Sequence, residues 1–235
     1  MIILRNKEFF QTIHKNLIVS CQALEDEPLH GSELMAKMAM AVKQGGAVAI
    51  RSNSAIDVEA IKKATNLPVI GLVKRNYPDS EVFITATLKE VKELLEVKPD
   101  VIALDATIRQ RPNGVKLVEL VQFIHDHSDT LVMADIATIE DATYASECGV
   151  DMLSTTLSGY TEDSPKQKGP DFELVQQLCE RMSIPVVAEG RIQTPEQAKK
   201  MQELGAWSVV VGSAITRPQL ITKAFAECLG ETLKV

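Results

Sequence analysis

Short apolar runs alternate along the chain with longer stretches whose apolar side chains recur at every third or fourth position. Eight runs stand out: Leu17–Gln22, Ala47–Ser52, Val69–Lys74, Val101–Thr107, Leu131–Ala137, Met152–Leu157, Val186–Arg191 and Val209–Ser213. They are nearly continuous in hydrophobicity, the pattern of parallel strands covered on both faces. Helical periodicity follows each run, over Glu33–Lys43, Ala55–Thr65, Leu88–Val97, Val115–His127, Ile139–Cys148, Asp171–Met182, Pro195–Leu204 and Ile215–Leu229. Thr194-Pro195-Glu196 reads as an N-cap followed by proline at the first helical position. Gly149 and Gly205 fall where helices should stop, and Asn66-Leu67-Pro68 closes the helix before the third run. The N-terminal MIILRNKEFFQTIHKN has no signal-peptide core and predicts a short helix capping one end of the fold. Eight β/α units over residues 1–235 predict one (β/α)8 TIM-barrel domain of the phosphate-binding type. The competing architecture, an open doubly wound sheet, is disfavoured because Cys21-Gln22-Ala23-Leu24 follows the first run where a GxGxxG turn would be expected.

Two of the runs carry chemistry. PVVAEGRI (Pro185–Ile192) and SVVVGSAI (Ser208–Ile215) each end at a glycine, Gly190 and Gly212, about one strand–helix unit apart. Glycine lets a ligand approach the backbone closely, and a helix starting there aims free N–H groups and positive dipole at an anion. In a TIM barrel the loops after strands 7 and 8 form the common phosphate site. The backbone of Gly190, Arg191, Gly212 and Ser213 is therefore the expected phosphate cradle. The alternative for Gly212-Ser213 is a plain helix start.

Side chains alternate along a strand, so every second residue points into the barrel. If the last polar residue of each run points inward, the interior receives Ile18, Ser20 and Gln22; Ala47, Ala49 and Arg51; Ile70, Leu72 and Lys74; Leu131, Met133 and Asp135; and Pro185, Val187 and Glu189. Each set places one polar group at the mouth. Strands 3 and 7 are opposite in an eight-stranded ring, so Lys74 and Glu189 should face each other. An amine and a carboxylate can both move protons if burial and neighbours tune them. Other readings stay open: Asp135 as the cap of the next helix, Arg51 as an ion-pair partner, and Asp105 as an equally placed carboxylate. Arg75 should point away and hold a loop or an acidic partner. The long polar loop Ser158–Gly169 is placed like a lid, and VFIT, within Asn76–Thr87, reads as a small extra strand or floor.

Composition narrows the classes. A net charge of −7 argues against broad nucleic-acid binding but not against a small anionic ligand. No apolar stretch is long enough to span a bilayer. Cys21, Cys148, Cys179 and Cys228 show no metal-type spacing, and free thiols in a reducing cytoplasm are expected. Cys21, near a strand end, is the one with a conceivable reactive role. The four histidines, His14, His30, His125 and His127, fall on helices or loops and form no metal triad.

The chain resembles the N-acetylmannosamine-6-phosphate 2-epimerase family along nearly its whole length. The matching stretches are LIVSCQALEDEPLH (Leu17–His30), GGAVAIRSN (Gly45–Asn53), PVIGLVKR (Pro68–Arg75), FITAT (Phe83–Thr87), VIALDAT (Val101–Thr107), MADIAT (Met133–Thr138), TTLSGYT (Thr155–Thr161), VVAEGRI (Val186–Ile192) and VVVGSAITRP (Val209–Pro218). SCQAL combined with MADIAT and GSAITRP is specific; the EGRI turn alone also resembles other phosphate-binding barrels. The resemblance implies a bacterial cytoplasmic isomerase of sialic acid degradation that epimerises C2 of an N-acetylhexosamine 6-phosphate without organic cofactor or metal. It implies Lys74 and Glu189 as acid/base groups. Gln22, Arg51, Asp135 and Arg217 would then bind the sugar. Homodimers are common among such barrels. The competing readings are another phosphosugar isomerase or epimerase, and a non-catalytic sugar-phosphate sensor on the same barrel.

Overall fold

The computed structural model describes residues 6–230. Eight parallel strands close into a barrel in sequential order. They are β1 (Leu17–Cys21), β2 (Ala49–Asn53), β3 (Val69–Leu72), β4 (Val101–Asp105), β5 (Leu131–Asp135), β6 (Met152–Ser154), β7 (Val186–Glu189) and β8 (Ser208–Val211). Helix α1 (Lys7–Ile13) precedes the barrel. Around it lie α2 (Ser32–Gln44), α3 (Ala55–Thr65), α4 (Leu88–Val97), α5 (Leu117–His127), α6 (Ile139–Glu147), α7 (Phe172–Arg181) and α8 (Pro195–Glu203). After β8 come a four-residue helix, α9 (Ser213–Thr216), and then α10 (Pro218–Cys228).

Two apolar layers explain why the runs lack clean alternation. Ile18, Ala49, Ile70, Leu72, Leu131, Met133, Val187 and Val210 fill the barrel, while Val19, Ile50, Ile102, Leu104, Val132 and Leu153 face the surrounding helices. Phe9, Phe10 and Ile13 of α1 pack against the inner set and close the bottom, where Trp207 donates to the Phe10 carbonyl at 2.9 Å. The inward register expected for strands 1, 3, 5 and 7 is the one observed. Ala47 departs from it. It lies before β2 and packs in the outer layer, because the chain enters that strand only at Ala49.

Local signals act as the sequence suggests. Thr87, Thr138 and Thr194 each begin a helix with a capping box, satisfying backbone donors that have no intrahelical partner. Asn66 caps α3 in the left-handed conformation. Most runs end a residue or two before their expected limits, and three boundaries shape the mouth. The third run stops at Leu72, and Lys74 instead makes an isolated antiparallel bridge to Ile84, so VFIT returns as a floor beside the mouth. The sixth stops at Ser154, and Thr155–Leu157 form a 3-10 turn. The helix expected over Ile215–Leu229 is broken at Arg217, which has φ −120° and ψ 79°, because Pro218 disfavours helical backbone in the residue before it.

Candidate active site

The C-terminal mouth of the barrel opens into a cavity of about 410 Å³. Lys74 and Glu189 line it, with Gln22, Arg51, Gly190, Arg191, Gly212, Ser213 and Arg217. Nine of the ten residues singled out from sequence thus share one cavity. Asp135 does not line it. It is fully buried beneath Arg51, because both its oxygens are taken by that guanidinium, at 3.0 and 2.6 Å. Asp135 therefore reaches the cavity only through its partners, which corrects the expectation that it contacts a ligand. Nor does it cap a helix, since Thr138 does that.

Arg51 is the hub. It is 1% exposed, pairs with Asp135 in the bidentate manner of a guanidinium and a carboxylate, and lies 3.3 Å from Glu189 Oε2. Burial alone would favour losing its proton; Asp135 and Glu189 more than reverse that. Glu189 is pushed the other way. Burial raises its pKa and the Asp135 charge adds to the rise, against the pull of Arg51. Lys74 is moved down, first by burial and then by Arg51, with Arg217 adding to the effect. Arg75 points outward and pairs with Glu90 and Glu93, the acidic partners its alternation suggested, so the cations facing Lys74 come from other elements. Burial and like charges here push an acid up and an amine down, the arrangement that brings both toward a working range.

Lys74 stands beyond β3 and is fixed by its backbone: its N–H donates to Asn53 Oδ1 at 2.8 Å. Glu189 is fixed by Thr155, whose hydroxyl accepts from the Glu189 N–H at 3.0 Å and donates to its carbonyl at 2.9 Å. Gln22 donates to Ser20 at 2.9 Å, while its buried Oε1 has no partner among the described residues. That oxygen is a ready acceptor for a ligand N–H or O–H.

Gly190 and Arg191 have φ of +111° and +55°, a tight left-handed turn directly after Glu189. Gly212 opens α9 on the adjacent strand. The Arg191 guanidinium is already committed: Nε donates to the Gly169 carbonyl at 2.7 Å, Nη1 donates to the Ser158 carbonyl, and the group lies 5.4 Å from the Tyr160 ring centroid. What Arg191 offers the cavity is its backbone. Its side chain ties together both ends of the Ser158–Gly169 loop, and a Cβ on Gly159 would come within 2.1 Å of it. Arg217 is held toward the cavity by Glu27, Nε to Oε1 at 2.8 Å.

Several members of this set were not singled out from sequence: Ser20, Glu27, Asn53, Ser154, Thr155, Thr156 and Tyr160. TTLSGYT contains three of them, but hydroxyl-rich turns are common and nothing local marks their partners. Asp105 turns away to Thr107 and to Arg109 at 2.8 Å. Cys21 packs among the outer-layer side chains, and burial pushes its thiol up to about 12, which leaves it unreactive. His125 is half-buried and paired with Asp151 at 2.9 Å; His14, His30 and His127 are exposed. Among the described residues, no group of three or more His, Cys, Asp or Glu side chains could hold a metal ion. No described helix is long and apolar enough to cross a membrane.

Comparison with known proteins completes the picture. Residues 35–231 match the family NanE, described as "Putative N-acetylmannosamine-6-phosphate epimerase". A relative from Clostridium perfringens named "Putative N-acetylmannosamine-6-phosphate 2-epimerase" is 56% identical over 91% of this chain and 96% of its own. One of the same name from Clostridioides difficile is 54% identical over 91% and 95%. The solved structure of the N-acetylmannosamine-6-phosphate 2-epimerase from Clostridium perfringens superposes with a TM-score of 0.93 at 53% identity, covering 95% of this chain and 97% of that one. A thiamine phosphate pyrophosphorylase from Pyrococcus furiosus matches with a TM-score of 0.62 at 19% identity over 94% of this chain and 96% of its own, a likeness of fold alone.

Proposed function

Since this chain belongs to the N-acetylmannosamine-6-phosphate epimerase family, we propose that it interconverts N-acetylmannosamine 6-phosphate and N-acetylglucosamine 6-phosphate. The observation that carries the reading is the position of Lys74 and Glu189 in one cavity with the Gly190 and Gly212 turns. The phosphate sits on the backbone of Gly190, Arg191, Gly212 and Ser213, and Arg217 lies close enough to assist. Gln22 Oε1 accepts from the acetamido N–H or a hydroxyl, and Arg51 donates to the sugar. Asp135 acts behind them by fixing Arg51.

The stereocentre at C2 bears the acetamido group, and its proton is acidic only when C1 is an aldehyde. Glu189 opens the ring. Lys74, whose pKa burial lowers, removes the C2 proton in its neutral form and leaves an enolate. Return of a proton to the opposite face gives the epimer. Positioned acid–base groups contribute on the order of 10² to 10⁴ in rate, and a well-placed donor to the enolate oxygen about 3 kcal/mol. Turnover in heavy water is expected to place deuterium at C2 of the product, read by proton NMR. Product without label at C2 would overturn the deprotonation route.

The cellular reading is a cytoplasmic enzyme of sialic acid degradation, and the four free thiols accord with a reducing compartment. The active form is a homodimer. None of the residues of α10 is buried, and Leu220, Phe225 and the following Leu229 are exposed, an apolar face that a second copy can cover. Light scattering during size-exclusion chromatography is expected to give twice the chain mass, and Phe225→Glu to give the monomer. A monomeric parent protein would refute the dimer.

A further inference from the structure

The turn after β6 contains a group that neither the chemistry above nor the family description uses. Thr156 Oγ1 lies 2.9 Å from Asp135 Oδ1, 2.9 Å from Glu189 Oε2 and 2.8 Å from Ser154 Oγ. Ser154 Oγ in turn lies 3.4 Å from Glu189 Oε2. A threonine hydroxyl has one proton to donate and two lone pairs to accept with. It therefore cannot donate to two carboxylates at once. If Asp135 and Glu189 were both ionised, one of the 2.9 Å contacts would set a hydroxyl lone pair against a carboxylate oxygen in a buried site. The cluster is one proton short.

Where that proton sits follows from the partners. Asp135 takes both prongs of Arg51 and is the more firmly held anion. Glu189 meets Arg51 with one oxygen only, at 3.3 Å. A proton on Glu189 Oε2 donates to Thr156, Thr156 donates to Asp135, and Ser154 donates to the second lone pair of Thr156. All three contacts of Thr156 are then satisfied.

We propose that Thr156 is a positioning residue that holds Glu189 as the neutral acid when substrate arrives, its hydroxyl accepting from Glu189 and donating to Asp135. The inference rests on the reading of Glu189 as the ring-opening group. Neutral Glu189 gives its proton to the ring oxygen as the C1–O bond breaks. The C1 hydroxyl proton passes to the resulting carboxylate as the C1 carbonyl forms, and the acid is regenerated. Between the two transfers the Thr156 hydroxyl rotates to donate to Glu189, so one side chain supports both charge states. Hydrogen bonds to a charged group are the strong ones, and that second orientation stabilises the carboxylate formed on the way.

Thr156→Val keeps the shape and removes the hydroxyl. It is expected to lower kcat roughly 10- to 100-fold with KM within about twofold of the parent, and Thr156→Ser to restore most of the loss. Infrared difference spectra of the free enzyme near neutral pH supply a readout independent of turnover. A carboxylic-acid carbonyl band that vanishes in Glu189→Gln is expected, and it should move to higher wavenumber in Thr156→Val as the acid O–H loses its acceptor. No such band, a band unmoved in Thr156→Val, or parent-like kcat in that variant would overturn the proposal. If Glu189→Gln turns over normally while the band still answers to Thr156, the catalytic reading of Glu189 fails and the shared proton stands.

Discussion

Lys74→Ala is expected to lose turnover by about 10³- to 10⁴-fold, the upper range for an acid–base group, while still binding the phosphosugar. The phosphate cradle lies on the far side of the mouth, in the backbone of the turns after β7 and β8, and the substitution does not touch it. A coupled assay with N-acetylmannosamine 6-phosphate reads the first effect and calorimetric titration the second. Parent-like turnover would remove Lys74 from the chemistry; loss of binding together with activity would make it a ligand of the sugar. The pH profile adds a sign. Burial first, then Arg51 and Arg217, lower the Lys74 pKa, so the active amine becomes available as pH rises through that depressed value. Burial and Asp135 raise that of Glu189, so its acid form lasts to higher pH than an ordinary glutamic acid's before it is lost. Activity of the parent enzyme should therefore describe a bell.

The largest effect on stability is expected from Arg51→Met. The substitution keeps an unbranched side chain of similar length and removes the one charge among the described residues that Asp135 pairs with directly. Asp135 is fully buried and Glu189 nearly so. Breaking a buried pair by removing one partner costs about 3–5 kcal/mol, because the remaining charge is left uncompensated. At this chain length that corresponds to a fall in Tm of roughly 6–20 °C. The sign of its pH dependence is fixed by linkage. Without Arg51 the Glu189 carboxyl, which burial already raises, loses a cation that holds it down, so its folded pKa lies above its unfolded one and the unfolded state releases that proton first as pH rises. The variant is therefore most stable in acid and weakens toward neutrality. Calorimetry at several pH values checks both, and a variant melting within about 2 °C of the parent would show that the hub is not a stability element.

The order of the eight units and the inward register were legible because each rests on local pattern: a β-branched run, a helical period, a cap. The site was legible only as a set of strand ends. Lys74 and Glu189 are named by their place in the runs, but the contacts that give them their chemistry cross the barrel. Arg51 meets Asp135 from strands on different sides of the ring, and no spacing along the chain reports that. For the same reason the cations that lower Lys74, Arg51 and Arg217, lie far from it in sequence. Thr156 was hidden because a hydroxyl in a turn is ordinary until its two carboxylate neighbours are in view. The break at Arg217 is different. Pro218 announces it in the sequence, and the continuous apolar period across Ile215–Leu229 outweighed it.

Arg191 closes the Ser158–Gly169 loop without a covalent bond, and in polymer terms it is a reversible cross-link at the loop's base. The conformational entropy of that segment is charged at its stem, and thereafter grows only by about 0.6 kcal/mol for each doubling in length. The exposed residues of the loop, Glu162, Asp163 and Pro165 to Lys168, are then free to change in kind without disturbing the turn that holds the phosphate. A barrel wired in this way can alter what its rim recognises while the anion site and the proton machinery stay in place.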